Sequence, residues 1–238
     1  DRWQFVRENR GECRACRDVV AERRMLMVSP DYRGDSWMGP KAEADLIQIL
    51  RQMRMQYRVR RVFLAGASMG GTAALTFTAL HPEMVDGVVA LNAVANLVEF
   101  DSFEPALEAM RLSFGGTKRE IPGEYRRRSA GFFPEKFTMP LAVATGGRDR
   151  ITPPDSVLRL AEEVKKRGGI VSVIHRKTGG HATSYRDTRR CLEFVLEMAP
   201  AGDPVGTAAE GGTGKKTVMT SGRFTRTQRQ RRRPTQPR

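Results

Sequence analysis

"RRVFLAGASMGGTAALTFTAL" (residues 60–80) is the stretch on which the reading of the fold turns. It opens with a short apolar run, which predicts a strand over 60–65. It closes with the small and apolar residues 70–80, which suit a helix buried beneath a sheet. Between them, Gly66-Ala67-Ser68-Met69-Gly70 spells Gly-x-Ser-x-Gly. A strand that turns sharply into a helix around a serine holds its hydroxyl exposed in a strained conformation. Gly66 and Gly70 are expected to be glycines because backbone crowds both positions. The start of the helix offers free N–H groups and the positive end of its dipole, so the Met69 N–H is a candidate oxyanion donor.

The same grammar repeats on both sides. Apolar runs at 24–30 ("RMLMVSP"), 85–93 ("VDGVVALNA"), 139–147 ("MPLAVATGG") and 169–175 ("GIVSVIH") join the one at 60–66. Continuous apolar runs bounded by Gly, Pro or charge predict five strands buried on both faces. Helical spacing appears at 41–57, 154–167 and 183–198, with residues 1–23 reading as a further helix. Strands alternating with helices predict an α/β fold, a mostly parallel sheet flanked by helices.

Two regions depart from the alternation. Residues 94–137 are an insertion within a domain spanning 1–199. It holds Phe100, Phe103, Phe114, Phe132, Phe133 and Phe137 and the basic run Arg126-Arg127-Arg128. It reads equally as a lid or pocket wall and as a decorated crossover that packs its aromatics into the core. Residues 200–238 read as a disordered basic tail, since so few bulky apolar residues cannot offset the entropy of ordering.

Composition limits the alternatives. The 238 residues carry a net charge of +14, and the tail supplies half of it, with nine Lys or Arg against Asp203 and Glu210. The excess therefore says little about the folded part, and no specific nucleic-acid partner is expected. No stretch approaches a membrane span. No signal peptide is visible, which favours the cytoplasm, and the chain starts at Asp1 rather than Met. Cys13, Cys16 and Cys191 are too few and too irregular for a disulfide framework or a zinc site. Cys13 and Cys16 read as ordinary thiols on a helix. No metal and no organic cofactor is implied, and the oligomeric state is left open.

A serine becomes nucleophilic only beside a base, and the base needs an orienting carboxylate. Asp149 follows the run at 139–147 in "GGRDRITPP", and His181 follows the run at 169–175 in "TGGHATSY". Both fall at strand ends, where open α/β sheets keep their functional residues. Of the other histidines, His81 sits at a helix end and His175 within a strand. Ser68, Asp149 and His181 are thus the candidate nucleophile, acid and base.

These blocks resemble the α/β-hydrolase superfamily, most of all its bacterial prolyl-oligopeptidase-like and esterase-like branch, over residues 24–198. "VSPDYRGDSW", "RRVFLAGASMGGTAALTFTALHPEMVDGVVALN", "ATGGRDRITPP" and "KTGGHATSY" carry the likeness. The resemblance implies a serine hydrolase with Ser68 as nucleophile, Asp149 as acid and His181 as general base. It also implies further strands and a second oxyanion donor ahead of residue 24. Neither is visible in residues 1–23, so the chain reads as N-terminally incomplete. In the loop "PDYRGDSWMG", Asp31 and Arg33 read as a structural pair, and Trp37 as a pocket residue or as surface packing. The substrate is expected to contain an ester or amide bond. With no acidic pair to grip a peptide amino terminus and no preceding propeller, a carboxylic ester ranks first. A prolyl-oligopeptidase-like peptidase ranks second. The reading from another class is an inactive fragment whose basic tail binds acidic partners.

Overall fold

The computed structural model describes residues 7–31 and 33–200. Apart from Pro200, the tail expected to be disordered lies outside the described residues. The helices are α1 (Gly11–Glu22), α2 (Pro40–Tyr57), α3 (Met69–Leu80), α4 (Glu104–Phe114), α5 (Pro122–Arg127), α6 (Asp155–Lys166) and α7 (Tyr185–Met198). The strands are β1 (Phe63–Ala67), β2 (Gly87–Leu91), β3 (Leu141–Gly146) and β4 (Val171–Arg176). They form one parallel sheet in the order β1-β2-β3-β4. Parallel neighbours need crossovers. α3 joins β1 to β2, the insertion with α4 and α5 joins β2 to β3, and α6 joins β3 to β4.

Successive strand residues face opposite sides of a sheet, and β2 and β3 show why their runs are apolar throughout. Val88, Ala90, Leu141 and Val143 face one layer, where Leu46 and Leu50 of α2, Leu75 and Phe77 of α3 and Leu160 and Val164 of α6 are buried. Val89, Leu91, Ala142 and Ala144 face the other, packed on Cys16 and Val19 of α1 and Cys191, Leu192 and Val195 of α7. The cysteines are free thiols in this layer. Burial pushes the Cys16 and Cys191 thiols up to about 12, so neither is a ready thiolate at neutral pH.

The fifth expected strand is absent: residues 24–30 form no strand, and Leu26 and Val28 are exposed. The run has strand composition but is paired with no strand among the described residues, and a strand exists only by pairing. Arg33 is gripped by Asp45 of α2 through two hydrogen bonds, at 2.7 and 3.0 Å, so the described partner of this arginine is on the helix that follows its loop.

The insertion's aromatics mostly build core. Phe100 and Phe114 are buried with Trp37, Leu97, Met110 and Tyr125 in a third cluster, and Phe137 joins the α2–α3–α6 layer. Arg128 of the basic run is wholly buried. Its guanidinium donates to Glu124, to Glu43 of α2 and to the Met38 carbonyl. Burial pushes the Glu43 carboxyl up. Hydrogen bonds from His81 and Arg128, with Arg127 close by, outweigh this and hold it below its ordinary value. His81, expected at a helix end, is the C-cap of α3 and a 2.9 Å partner of Glu43.

Candidate active site

The turn between β1 and α3 has the strained geometry its sequence predicts. Ser68 sits at φ 54°, ψ −122°, a region that side-chain-bearing residues seldom occupy. Its N–H is tied to the Leu91 carbonyl of β2 at 2.8 Å, and its own carbonyl accepts from Thr72. The glycines divide differently from expectation. A Cβ on Gly66 would lie 2.3 Å from the carbonyl carbon of Gly70, and one on Gly71 2.9 Å from the Gly66 oxygen. A Cβ on Gly70 would meet nothing within 4 Å. The crowded pair is therefore Gly66 and Gly71, because the chain doubles back over one helical turn. Gly66→Ala is expected to lower stability by about 3 kcal/mol, a drop in Tm of roughly 6–12 °C. Gly70→Ala should be neutral or stabilising by about 0.5–1 kcal/mol, since alanine is the better helix former. Thermal unfolding of the two variants checks this, and equal losses would refute it.

The three residues picked from separate loops come together. His181 Nε2 lies 2.9 Å from Ser68 Oγ, and His181 Nδ1 lies 2.7 Å from Asp149 Oδ2. A carboxylate only accepts, so Nδ1 carries the hydrogen and Nε2 is left free to accept from the Ser68 hydroxyl. The Asp149 carboxylate is almost fully buried, whereas His181 is partly open. Asp149 Oδ1 accepts from the Ile151 and Thr152 N–H groups, each at 2.9 Å. A buried carboxyl group bonded on both oxygens is held in one orientation, aimed at His181.

The acid and histidine loops reach this geometry by running against one another. Arg148 N–H donates to the Gly179 carbonyl at 2.8 Å, and Gly147 N–H to the Arg176 carbonyl at 2.8 Å. A Cβ on Gly146 would stand 2.2 Å from the Gly180 oxygen, and one on Gly147 2.6 Å from the Lys177 oxygen. Both "TGG" sequences thus serve one backbone contact. Beyond it, Arg176 clamps Asp187 of α7 with bonds of 2.6 and 3.0 Å, and Ser184 caps the same helix. The Arg176 guanidinium holds the Asp187 carboxyl below its ordinary value.

Met69 begins α3, so its N–H is one of the first-turn groups without an intrahelical acceptor. Its side chain packs against the cluster of Trp37 and Phe100, whose rings lie 5.6 Å apart. Trp37 is 5% exposed rather than on the surface. Trp37 and Met38 both have positive φ, 47° and 59°. That loop is held by Arg128 on the Met38 carbonyl and by Ser113 on the Ser36 carbonyl at 2.7 Å. Strain kept in place by buried bonds beside the candidate serine marks a built feature.

Sequence reasoning passed over Thr152. Its hydroxyl lies 2.9 Å from Asp149 Oδ2, 3.0 Å from His181 Nδ1 and 2.8 Å from the Asn92 carbonyl. The one available signal was Asp-x-x-Thr, the pattern of a side-chain-capped turn. Among the described residues no group of three or more His, Cys, Asp or Glu could hold a metal ion, and no helix is long and apolar enough to cross a membrane.

The sequence model of the prolyl oligopeptidase family matches residues 14–199. No curated protein matches the chain. Among solved structures, the acylaminoacyl peptidase of Pyrococcus horikoshii is similar with a TM-score of 0.56 at 19% identity, covering 69% of this chain and 29% of that one. A puromycin hydrolase gives 0.56 at 20% identity, covering 69% and 26%. A puromycin-hydrolysing peptidase of Mycobacterium tuberculosis gives 0.58 at 16% identity, also covering 69% and 26%. At these identities the likeness is one of fold, the α/β-hydrolase fold expected from the sequence. The chain spans less than a third of the length of each of these three relatives.

Proposed function

The chain belongs to the prolyl oligopeptidase family of serine hydrolases, and from that premise we propose that it cleaves amide bonds of short or acylated peptides through a Ser68–His181–Asp149 triad. The observation that carries the reading is the unbroken path Ser68 Oγ, His181 Nε2, His181 Nδ1, Asp149 Oδ2, at 2.9 and 2.7 Å. Ser68 Oγ attacks the carbonyl carbon while His181 Nε2 takes its proton. The oxygen that becomes negative meets the Met69 N–H at the positive end of α3. Collapse of the tetrahedral species expels the amine, which receives the proton from His181 Nε2. Water then repeats the sequence on the acyl-serine and frees the acid. Asp149 keeps Nδ1 protonated and balances the charge of the imidazolium. Trp37, from the loop before α2, and Phe100 of the insertion lie in the cluster against Met69 and supply a wall of the acyl pocket in this reading.

Esters, ranked first from the sequence, become the second reading, because the same groups cleave them and the leaving group needs less help. Family membership and the peptidases among the structural neighbours move the weight from ester to amide. A panel of p-nitrophenyl esters and aminoacyl p-nitroanilides, with fluorophosphonate labelling of Ser68, separates the readings. Turnover of both classes is expected. Turnover of esters alone would return the ester to first place, and a folded chain that never labels would remove the enzyme reading.

A further inference from the structure

We infer that the Thr152 hydroxyl is a positioning group for the Asp149–His181 pair, an inference that rests on the triad reading above. Thr152 is 1% exposed, and its Oγ1 has three polar neighbours within 3.0 Å. Two of them, the Asn92 carbonyl and Asp149 Oδ2, can only accept, so the single hydroxyl hydrogen forks between them. The third, His181 Nδ1, carries a hydrogen aimed at Asp149 Oδ2, and Oγ1 stands beside that bond as a second acceptor. The hydroxyl therefore touches acid and base at the atoms that join them.

Its anchorage gives this contact its use. Thr152 N–H also donates to Asp149 Oδ1, so one residue supplies both carboxylate oxygens with a donor. Asn92, in a left-handed conformation at φ 45°, follows β2, which lies between the strand leading to Ser68 and the strand leading to Asp149. Through its carbonyl the acid loop is tied to the strand that also binds the Ser68 N–H. The spacing between nucleophile and acid, which His181 must bridge, is thereby set from within the sheet. The other groups around His181, Ser68 Oγ and Asp149, fix only the ends of that bridge.

Thr152→Val keeps the shape and removes the hydroxyl, and Thr152→Ser keeps the hydroxyl. On a p-nitrophenyl ester, Thr152→Val is expected to lower kcat by roughly 10–100-fold, with KM changed by less than about threefold. Thr152→Ser should restore kcat to within about threefold of the parent. Fluorophosphonate labelling of the parent is measured first. If Ser68 does not label, the triad reading and this inference fall together. If Ser68 labels and Thr152→Val retains more than about half the parent kcat, or Thr152→Ser fails to restore it, the inference alone is overturned. Should Thr152→Val not fold, Thr152→Cys, with its weak donor, takes its place under the same criteria.

Discussion

Ser68→Ala is expected to abolish hydrolysis of every substrate the chain turns over, by about 10⁶ in kcat, and to abolish fluorophosphonate labelling. The expectation follows from the position of Oγ. It has His181 Nε2 at 2.9 Å and stands at the start of α3, at the end of a strand whose neighbour holds its backbone. No other side chain bonds to His181 Nε2 within the described hydrogen-bond network. The backbone strain is carried by the turn, not by the hydroxyl, so the variant should unfold within a few degrees of the parent. A folded variant that keeps more than about one part in a hundred of the parent rate would mean that Ser68 is not the nucleophile.

Asp149→Asn should cost about 10⁴ in kcat, and the hydrogen bonds say why an isosteric change is so harmful. Oδ1 accepts from two backbone N–H groups, Ile151 and Thr152, at 2.9 Å each. An asparagine must leave its carbonyl oxygen there, because its NH₂ would face two donors. The NH₂ is then forced into the place of Oδ2, 2.7 Å from His181 Nδ1. To accept from it, Nδ1 must give up its hydrogen, and the hydrogen moves to Nε2. A histidine protonated at Nε2 cannot take the proton of Ser68. Steady-state kinetics with the best chromogenic substrate checks this, and a loss below about tenfold would contradict the assigned tautomer.

The legible and illegible parts of the molecule separate along one physical line. Runs such as 85–93 and 139–147 identify their strands because parallel strands covered on both faces must be apolar at every position. The run at 24–30 has the same composition and is not a strand, since pairing depends on a neighbour that local sequence does not contain. Gly66 was readable as a crowded position, whereas Gly70 and Gly71 could be sorted only once the turn was closed. The basic run 126–128 gave no sign that Arg128 would be fully buried, with its cation satisfied by Glu43 from eighty-five residues away.

The candidate site divides in the same way. Residue order and the strand-end positions of Ser68, Asp149 and His181 were determined by the sequence alone, because a nucleophile, its base and its orienting acid each need a loop at a sheet's C-terminal edge. The family followed from the same blocks. Tertiary structure decided that His181 lies 2.9 Å from Ser68 and 2.7 Å from Asp149. It decided that the "TGG" sequences exist to let two loops touch, and that Thr152 stands at the joint between acid and base. Those facts depend on distances between segments far apart in the chain, and such distances are set by packing and pairing, which no local pattern of residues encodes.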